Sequence, residues 1–405
     1  MFLKTKNFQI VLRLHRWLGV FLSLHLLILA LTGAILVFRE EIEPGPAILP
    51  PVSEPIPLHA LVAQSLRQHP SDRVLAIAVD HDDEQRVTLR LGKDGSPQFR
   101  GARRLTYDRR DGRLQTESGA DDSLMTKLLI LHRELFLGTV GKLYVGVLGL
   151  LYAFVLVFGL ILYGPLMKRL SFGTLRSHLN PRLWWSDLHK YFGAMTFAWS
   201  LVIALTGFLL GWGGPIIKLY QASALTGLNS EFAGPQDQRP LVTVDEALQA
   251  AQTAMPEGQF SFVSYPGSEF STAHHYIFVM DGSTPLTEKL SNLVVVNASS
   301  GLVDRVLHLP WYLQLFVLAE PLHFGDYGGM PMKWLWVIFS LFSLVLPLSG
   351  LFIFVDKYRK KARSQANGRS RNQRYLSPSQ RPYLRPLLVM ILSWTGLIVA
   401  LGVEG

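Results

Sequence analysis

Two imidazoles interrupt the apolar stretch RLHRWLGVFLSLHLLILALTGAILVFREE (13–41): His15 at its entrance and His25 ten residues deeper. An ionisable side chain in a run of membrane-spanning length faces a cavity, a partner or a cofactor. An interfacial histidine at 15 and a hydrogen-bonded packing histidine at 25 are the plainer roles. Of the twelve histidines, four recur in register: His189 follows His15 by 174 residues and His323 follows His132 by 191. Facing each other across a pseudo-twofold axis, each pair of neutral imidazoles supplies what two axial ligands on one iron require. His25 has Trp199 as its counterpart, so it either substitutes for His15 as a ligand or stands behind one. The chain has no cysteine. That excludes disulfides, thiolate metal sites and covalent c-type haem attachment, and leaves histidine, carboxylate or a non-covalent cofactor for metal chemistry.

The elements that must position these histidines are mostly membrane-length. About 20 mainly apolar residues make a span. Trp17–Phe38, Leu143–Tyr163, Tyr191–Trp212, Trp334–Val355 and the shorter Leu384–Leu401 reach or approach that length. No small-residue cleavage site follows Phe38, so the first is read as a retained anchor rather than a signal peptide. LHRWLG (14–19) is echoed by LHKYFG (188–193) and ALTGAIL (30–36) by ALTGFLL (204–210), while His132, Lys142 and Gly159 recur as His323, Lys333 and Gly350. The expected fold is an α-helical membrane protein of two parallel two-helix repeats with one extra C-terminal helix. Gly19 and Gly193 each follow a histidine by four residues, and Gly33, Gly207, Gly159 and Gly350 match deeper in. Such glycines admit a flat porphyrin or a closely packed helix. Arg13, Arg16 and Lys190 near one pair, and Arg133 near the other, can meet haem propionates; snorkelling or topology charges explain them equally.

Loop charge sets the expected orientation. Residues 1–16 carry four cations and no acid, 165–190 carry five against Asp187, and 356–385 carry ten against Asp356. These segments are expected on the cytoplasmic side and the soluble stretches on the other side of the membrane. The basic isoelectric point therefore calls for no nucleic acid. Each soluble stretch shows a helical pattern (LHALVAQSLRQH; TVDEALQAAQTAM), then alternating strand patterns, such as RVLAIAVD with RVTLRLG and HHYIFVMD with NLVVVNASSG. They are small α+β modules without a hydrolase triad or phosphate loop. VDHDDEQ (79–85) is an acidic hairpin turn rather than a metal site, and adjacent His274 and His275 point to opposite faces of a strand. The chain thus divides into an N-terminus with the first span (1–39), a first module (40–130), two spans around a basic loop (131–213), a second module (214–331) and two spans around a second basic loop (332–405).

The first-span stretch, together with TVDEALQAA and VVVNASSGLV in 240–305, resembles the PepSY-associated transmembrane family over residues 10–360. The modules resemble PepSY domains, the first divergently. The resemblance extends to inner-membrane ferrisiderophore reductases of the FoxB type. It implies two b haems, held by His15, His189, His132 and His323, and electron passage across the inner membrane to a ferric siderophore or other ferric chelate, releasing iron as Fe(II). With no flavin, nicotinamide or Rossmann motif, a quinol or a separate cytoplasmic reductase is the expected donor. Membrane lipid and the ferric chelate are the other expected partners. The competing readings are a non-enzymatic anchor whose PepSY-like modules bind or inhibit a periplasmic protein, and a transporter. Against the latter, no span is broken by Gly or Pro at corresponding positions of the two halves, since Pro347 interrupts only the fourth.

Overall fold

The computed structural model describes residues 5–44, 49–80, 83–99, 101–118, 123–167, 172–176, 180–231, 241–282, 291–325 and 328–369. The expected fifth span, Leu384–Leu401, lies outside them. The chain divides into two compact units, one of helices (1–43, 123–212 and 319–405) and one built around a sheet (44–122 and 213–318).

Four helical stretches among the described residues are long and apolar enough to cross a membrane: Lys6–Leu36, Gly138–Pro165, Pro181–Tyr220 and Gly329–Lys360. They belong to α1 (Thr5–Leu36), α5 (Gly138–Met167), α6 (Pro181–Glu231) and the pair α9 (Gly329–Ser343) and α10 (Val345–Arg369). α2 is the short turn Arg39–Ile42. The fourth span breaks at Leu344, three residues before Pro347, whose missing N–H leaves the Ser343 carbonyl without its helical donor. Two further helices precede the second and fourth spans: α4 (Leu124–Glu134) and α8 (Trp311–Phe324). α4 straddles the expected boundary at 130, α8 lies within the expected second module, and α6 runs well past the expected end at Trp212.

Glycines let α5 and α6 touch. A Cβ on Gly146 would stand 2.7 Å from Trp212 Cδ1, one on Gly149 2.8 Å from the Ala204 carbonyl oxygen, and one on Gly211 2.7 Å from Gly146 Cα. Close backbone approach at small residues is how helices associate in lipid, where no hydrophobic drive separates helix from solvent. The Trp212 indole N–H donates to the Leu143 carbonyl (3.2 Å) across the same crossing. α1 packs along α5, α9 and α10, with Leu22, Leu148 and Val155 buried between α1 and α5.

Among the described residues of the second unit, the sheet and the helices on it are α3 (Leu58–Gln68) with β1 (Arg73–Val79), β2 (Arg86–Gly92), β3 (Arg103–Asp108) and β4 (Leu114–Ser118), and α7 (Val244–Ala254) with β5 (Gly258–Ser264), β6 (His275–Gly282), β7 (Ser291–Asn297) and β8 (Val303–His308). The two sets are one antiparallel sheet, ordered β4-β3-β2-β1-β5-β6-β7-β8. At the seam Ala76, Ile77 and Ala78 pair with Ser264, Val263 and Phe262. Pairing β1 with β5 removes an exposed edge that each set would carry alone. Val87, Leu89 and Leu91 alternate onto the inner face, as do Tyr276, Phe278 and Met280. The helices close that face with Leu58, Leu61 and Ser65, and with Val244, Ala247 and Ala251, the i, i+3, i+7 spacing of an amphipathic stripe.

The helices are also tied to each other. Asp245, in the first turn of α7, accepts from the backbone N–H groups of Leu58 (2.9 Å) and His59 (2.7 Å), so one carboxylate satisfies two orphan donors at the start of α3.

The acidic turn after β1 is an ion-pair network. Arg110 reaches Asp83 (2.7 Å) and Asp108 (3.2 Å), and its guanidinium holds the Asp83 carboxyl below the usual carboxylate range. His274 and His275 do not share a ligand: His275 is fully buried, with Nε2 on Asp304 (2.9 Å) and Nδ1 beside the Thr272 hydroxyl.

Candidate functional site

The four repeated histidines form two ring pairs. The ring centres of His15 and His189 lie 6.1 Å apart with planes at 83°, and those of His132 and His323 also lie 6.1 Å apart with planes at 64°. A metal ion bonded to two imidazole nitrogens at about 2.0–2.1 Å each, with roughly 1.1 Å from nitrogen to ring centre, separates the ring centres by about 6.3 Å when the two ligands are trans.

Local sequence decides which nitrogen each ring offers. The His15 Nδ1–H donates to the Val155 carbonyl (2.9 Å), an acceptor only. His132 Nδ1 meets Thr32 Oγ1 (2.9 Å), His323 Nδ1 meets Thr206 Oγ1 (2.9 Å) and His189 Nδ1 meets Ser349 Oγ (2.8 Å). Each hydroxyl spends its proton on its own helix: Thr32 on the Ile28 carbonyl (2.7 Å), Thr206 on the Val202 carbonyl (2.8 Å) and Ser349 on the Val345 carbonyl. The hydroxyl oxygen must then accept from Nδ1–H. All four rings are held as the Nδ1–H tautomer, which leaves the Nε2 lone pair for a metal. A second partner that fixes the tautomer and orientation is a usual feature of metal-binding imidazoles.

A glycine on a facing helix lies against each ring. A Cβ on Gly33 would stand 3.1 Å from His132 Cε1, on Gly159 3.2 Å from His15 Cε1, on Gly207 3.2 Å from His323 Cε1 and on Gly350 3.5 Å from His189 Cε1. Three of these glycines directly follow the hydroxyl residue that fixes the same ring: Thr32-Gly33, Thr206-Gly207 and Ser349-Gly350. Phe158 precedes Gly159, which is why His15 takes a carbonyl instead. Thr32, Thr206 and Ser349 were not singled out from the sequence, although the ALTG echo contained two of them. Gly193 meets Leu346 rather than a histidine, and no protein atom lies within 4 Å of where a Gly19 Cβ would stand.

His25 joins neither pair. It is buried, its Nδ1 lies 3.3 Å from the Phe21 carbonyl and its Nε2 takes the Tyr144 hydroxyl at 3.0 Å. Both nitrogens are thus occupied. Replacing Tyr144 with phenylalanine leaves a buried imidazole nitrogen unpaired, at a cost of about 1–3 kcal/mol. Thermal unfolding of Y144F should show that loss, while any bound cofactor keeps its stoichiometry; loss of cofactor would place His25 among its ligands.

The cations fall into two classes. Lys190 sits on Asp187 (2.8 Å), which Arg176 also grips through Nη2 (2.8 Å), and Arg133 pairs with Glu134 (3.0 Å). Arg13, exposed, and Arg16, half-buried, make no ion pair among the described residues. Among those residues no cluster of three or more His, Asp or Glu side chains could hold a metal ion. Two facing imidazoles are the protein donor set that a haem iron takes.

The first pair joins two spanning helices, and the second joins the two short helices that precede the second and fourth spans. His15 on α1 meets His189 on α6, and His132 on α4 meets His323 on α8. Along α1, His15 and Gly33, which touches the other pair, are about 27 Å apart at 1.5 Å per residue, close to the ~30 Å hydrocarbon thickness. Comparison with curated proteins returns no match. The family model described as the PepSY-associated TM region matches residues 12–357. That match takes in most or all of each span, both histidine pairs and the whole sheet, and the chain is a membrane protein that belongs to the PepSY-associated TM region family.

Proposed function

We propose that this protein is an inner-membrane ferric-chelate reductase holding one b haem at each histidine pair. The observation that carries the reading is the doubled site: two imidazole pairs with ring centres 6.1 Å apart, each ring anchored at Nδ1 and lying against a glycine. Bound there, haem supplies a one-electron Fe(III)/Fe(II) couple.

The protein's part is positional. His15 with His189, and His132 with His323, would hold the two haem irons through their Nε2 lone pairs. Val155, Ser349, Thr32 and Thr206 hold the tautomer, and the four glycines keep the facing helices off the rings. Arg13 and Arg16 are free to meet propionates at one end. The recurrence of histidine, hydroxyl and glycine in both halves supports two parallel repeats related by an axis along the membrane normal. The basic segments support a cytoplasmic His15/His189 end and a periplasmic sheet unit.

The substrate in this reading is a ferric siderophore, whose chelate weakens once its iron is Fe(II). The donor is a quinol or a cytoplasmic reductase. One quinol releases two electrons and two protons, and so matches the reduction of two Fe(III) ions.

The test is the visible spectrum of the detergent-purified protein, oxidised and then dithionite-reduced, with a haem-to-protein ratio. A Soret band that sharpens with resolved α and β bands, at about two haems per chain, is expected of bis-histidine ligation. A colourless protein from haem-replete cells would overturn the reductase and favour an anchor whose sheet unit binds another protein.

A further inference from the structure

The sheet has a second face, opposite α3 and α7, and two arginines stand on it side by side. Arg90 of β2 pairs directly with Arg104 of β3. Like charges directly opposite on neighbouring strands repel, and among the described residues no acid pairs with either of them. The nearby carboxylates are engaged elsewhere: Asp72 (3.2 Å) and Glu117 both sit on Arg103, whose side chain points to the other face of the same strand. Arg104 is exposed and makes no ion pair or hydrogen bond among the described residues. Arg90 is half-buried, and its Nε is enclosed with no hydrogen-bond partner. Burial first, and the Arg104 charge second, push the Arg90 guanidinium below its ordinary value.

Aromatic rings adjoin the pair. The Arg90 guanidinium carbon lies 5.6 Å from the centre of the Phe99 ring. Phe99 packs edge-on against Phe270 (4.7 Å between ring centres) and lies 6.3 Å from Phe262. These rings come from both halves of the sheet. The loop carrying Phe99 is clasped to the one carrying Phe270, as Glu269 N–H donates to the Pro97 carbonyl (3.0 Å) and Phe99 N–H donates to the Glu269 carboxylate (3.2 Å). Thr88 and Thr106, one pleat along on the same face, share a hydroxyl hydrogen bond (2.9 Å).

From this geometry we infer that Arg90 and Arg104, with Phe99, Phe262 and Phe270 beside them, form a capture site for an anionic ferric chelate with aromatic, catecholate-type arms. The inference rests on the ferric-chelate reading above and narrows its substrate class. Guanidinium forks match the paired oxygens of catecholate or carboxylate donors, and flat arms can lie against phenylalanine rings. Two unopposed cations disfavour a cationic chelate and gain nothing from a neutral one.

The test uses the full chain in neutral detergent with gallium(III) tris-catecholate, a redox-inert stand-in for the ferric complex. Binding is read by equilibrium dialysis with gallium quantified by mass spectrometry. The wild type is expected to bind it more tightly than neutral gallium trihydroxamate, with affinity falling as salt rises. Arg104→Gln and Arg90→Gln should each weaken the anionic chelate about tenfold or more, since each removes a charge-assisted contact. Arg104→Lys should recover part of the loss, and neutral-chelate binding should stay unchanged. Arg104 is exposed, so R104Q keeps the test open if R90Q fails to fold.

Equal binding of the two chelates by the wild type, or unchanged affinity in folded R104Q, would overturn the site. So would displacement of the gallium complex by anionic phospholipid at equal charge, which would assign the pair to a lipid headgroup. Gallium(III) accepts no electron under these conditions, so the readout does not depend on haem. Gallium binding by a protein that carries no haem would leave the capture site standing and remove only the reductase.

Discussion

Replacing His189 with alanine should halve the haem content and abolish electron flow to a ferric chelate. The variant removes one of two rings whose centres lie 6.1 Å apart, and His15 then faces no second nitrogen. The other pair draws on different helices, α4 and α8, and has its own anchors in Thr32 and Thr206. Its spectrum should therefore persist, leaving about one haem per chain with bis-histidine features. Reduction of the chelate by quinol should fall on the order of 100-fold or more, because losing a ligand costs at least as much as losing its outer partner, which is worth 10–100-fold. His323→Ala should mirror the result at the other end. Thr206→Val tests positioning rather than ligation. It removes the acceptor that fixes His323 as the Nδ1–H tautomer, so it should retain haem with lower affinity and a shifted midpoint potential. If His189→Ala kept full haem and full activity, the paired-ligand reading would fail.

The second large effect concerns glycine. A Cβ at Gly207 would already lie 3.2 Å from His323 Cε1, so alanine there requires the ring to yield by a few tenths of an ångström. Leucine requires the ring or the helix to leave, because the added branch occupies the imidazole's own space. Gly207→Leu should thus lose the haem at the His132/His323 pair, while Gly207→Ala keeps it with weaker binding. Haem titration of the two variants, with the His15/His189 signal as internal control, separates this from general misfolding. Unaltered haem affinity in a folded Gly207→Leu protein would show that ring and glycine do not need their contact.

Much of this site was legible in one dimension. The offsets of 174 and 191 residues paired His15 with His189 and His132 with His323 before any coordinate, because an echoed helical segment carries its histidine at an equivalent position. Gly33, Gly159, Gly207 and Gly350 were visible in the same register, and four of the five apolar runs coincide with helices long enough to span a bilayer. The strand patterns likewise read true, since period-two burial depends only on neighbours along the chain.

Other features depended on what lies across space. Which glycine lies against which ring follows from helix crossing: the touching pairs are His15–Gly159 and His189–Gly350, and His132–Gly33 and His323–Gly207, none within one helix. Gly193, one turn from His189 on the same helix face, meets Leu346 of α10, one turn from the Ser349 and Gly350 that meet His189. Thr32, Thr206 and Ser349 look like ordinary small helix residues until an imidazole 100 or more positions away donates to them. His25, a candidate ligand by depth and type, is taken by Tyr144 on a neighbouring helix. The two soluble stretches likewise show no mark of being one sheet, since the β1–β5 pairing joins residues nearly 190 positions apart through backbone groups that every residue carries. Periodicity and repetition are local quantities that one chain writes down. A hydrogen-bond partner, a ring's neighbour and a strand's second edge are settled only when distant segments compete for the same space.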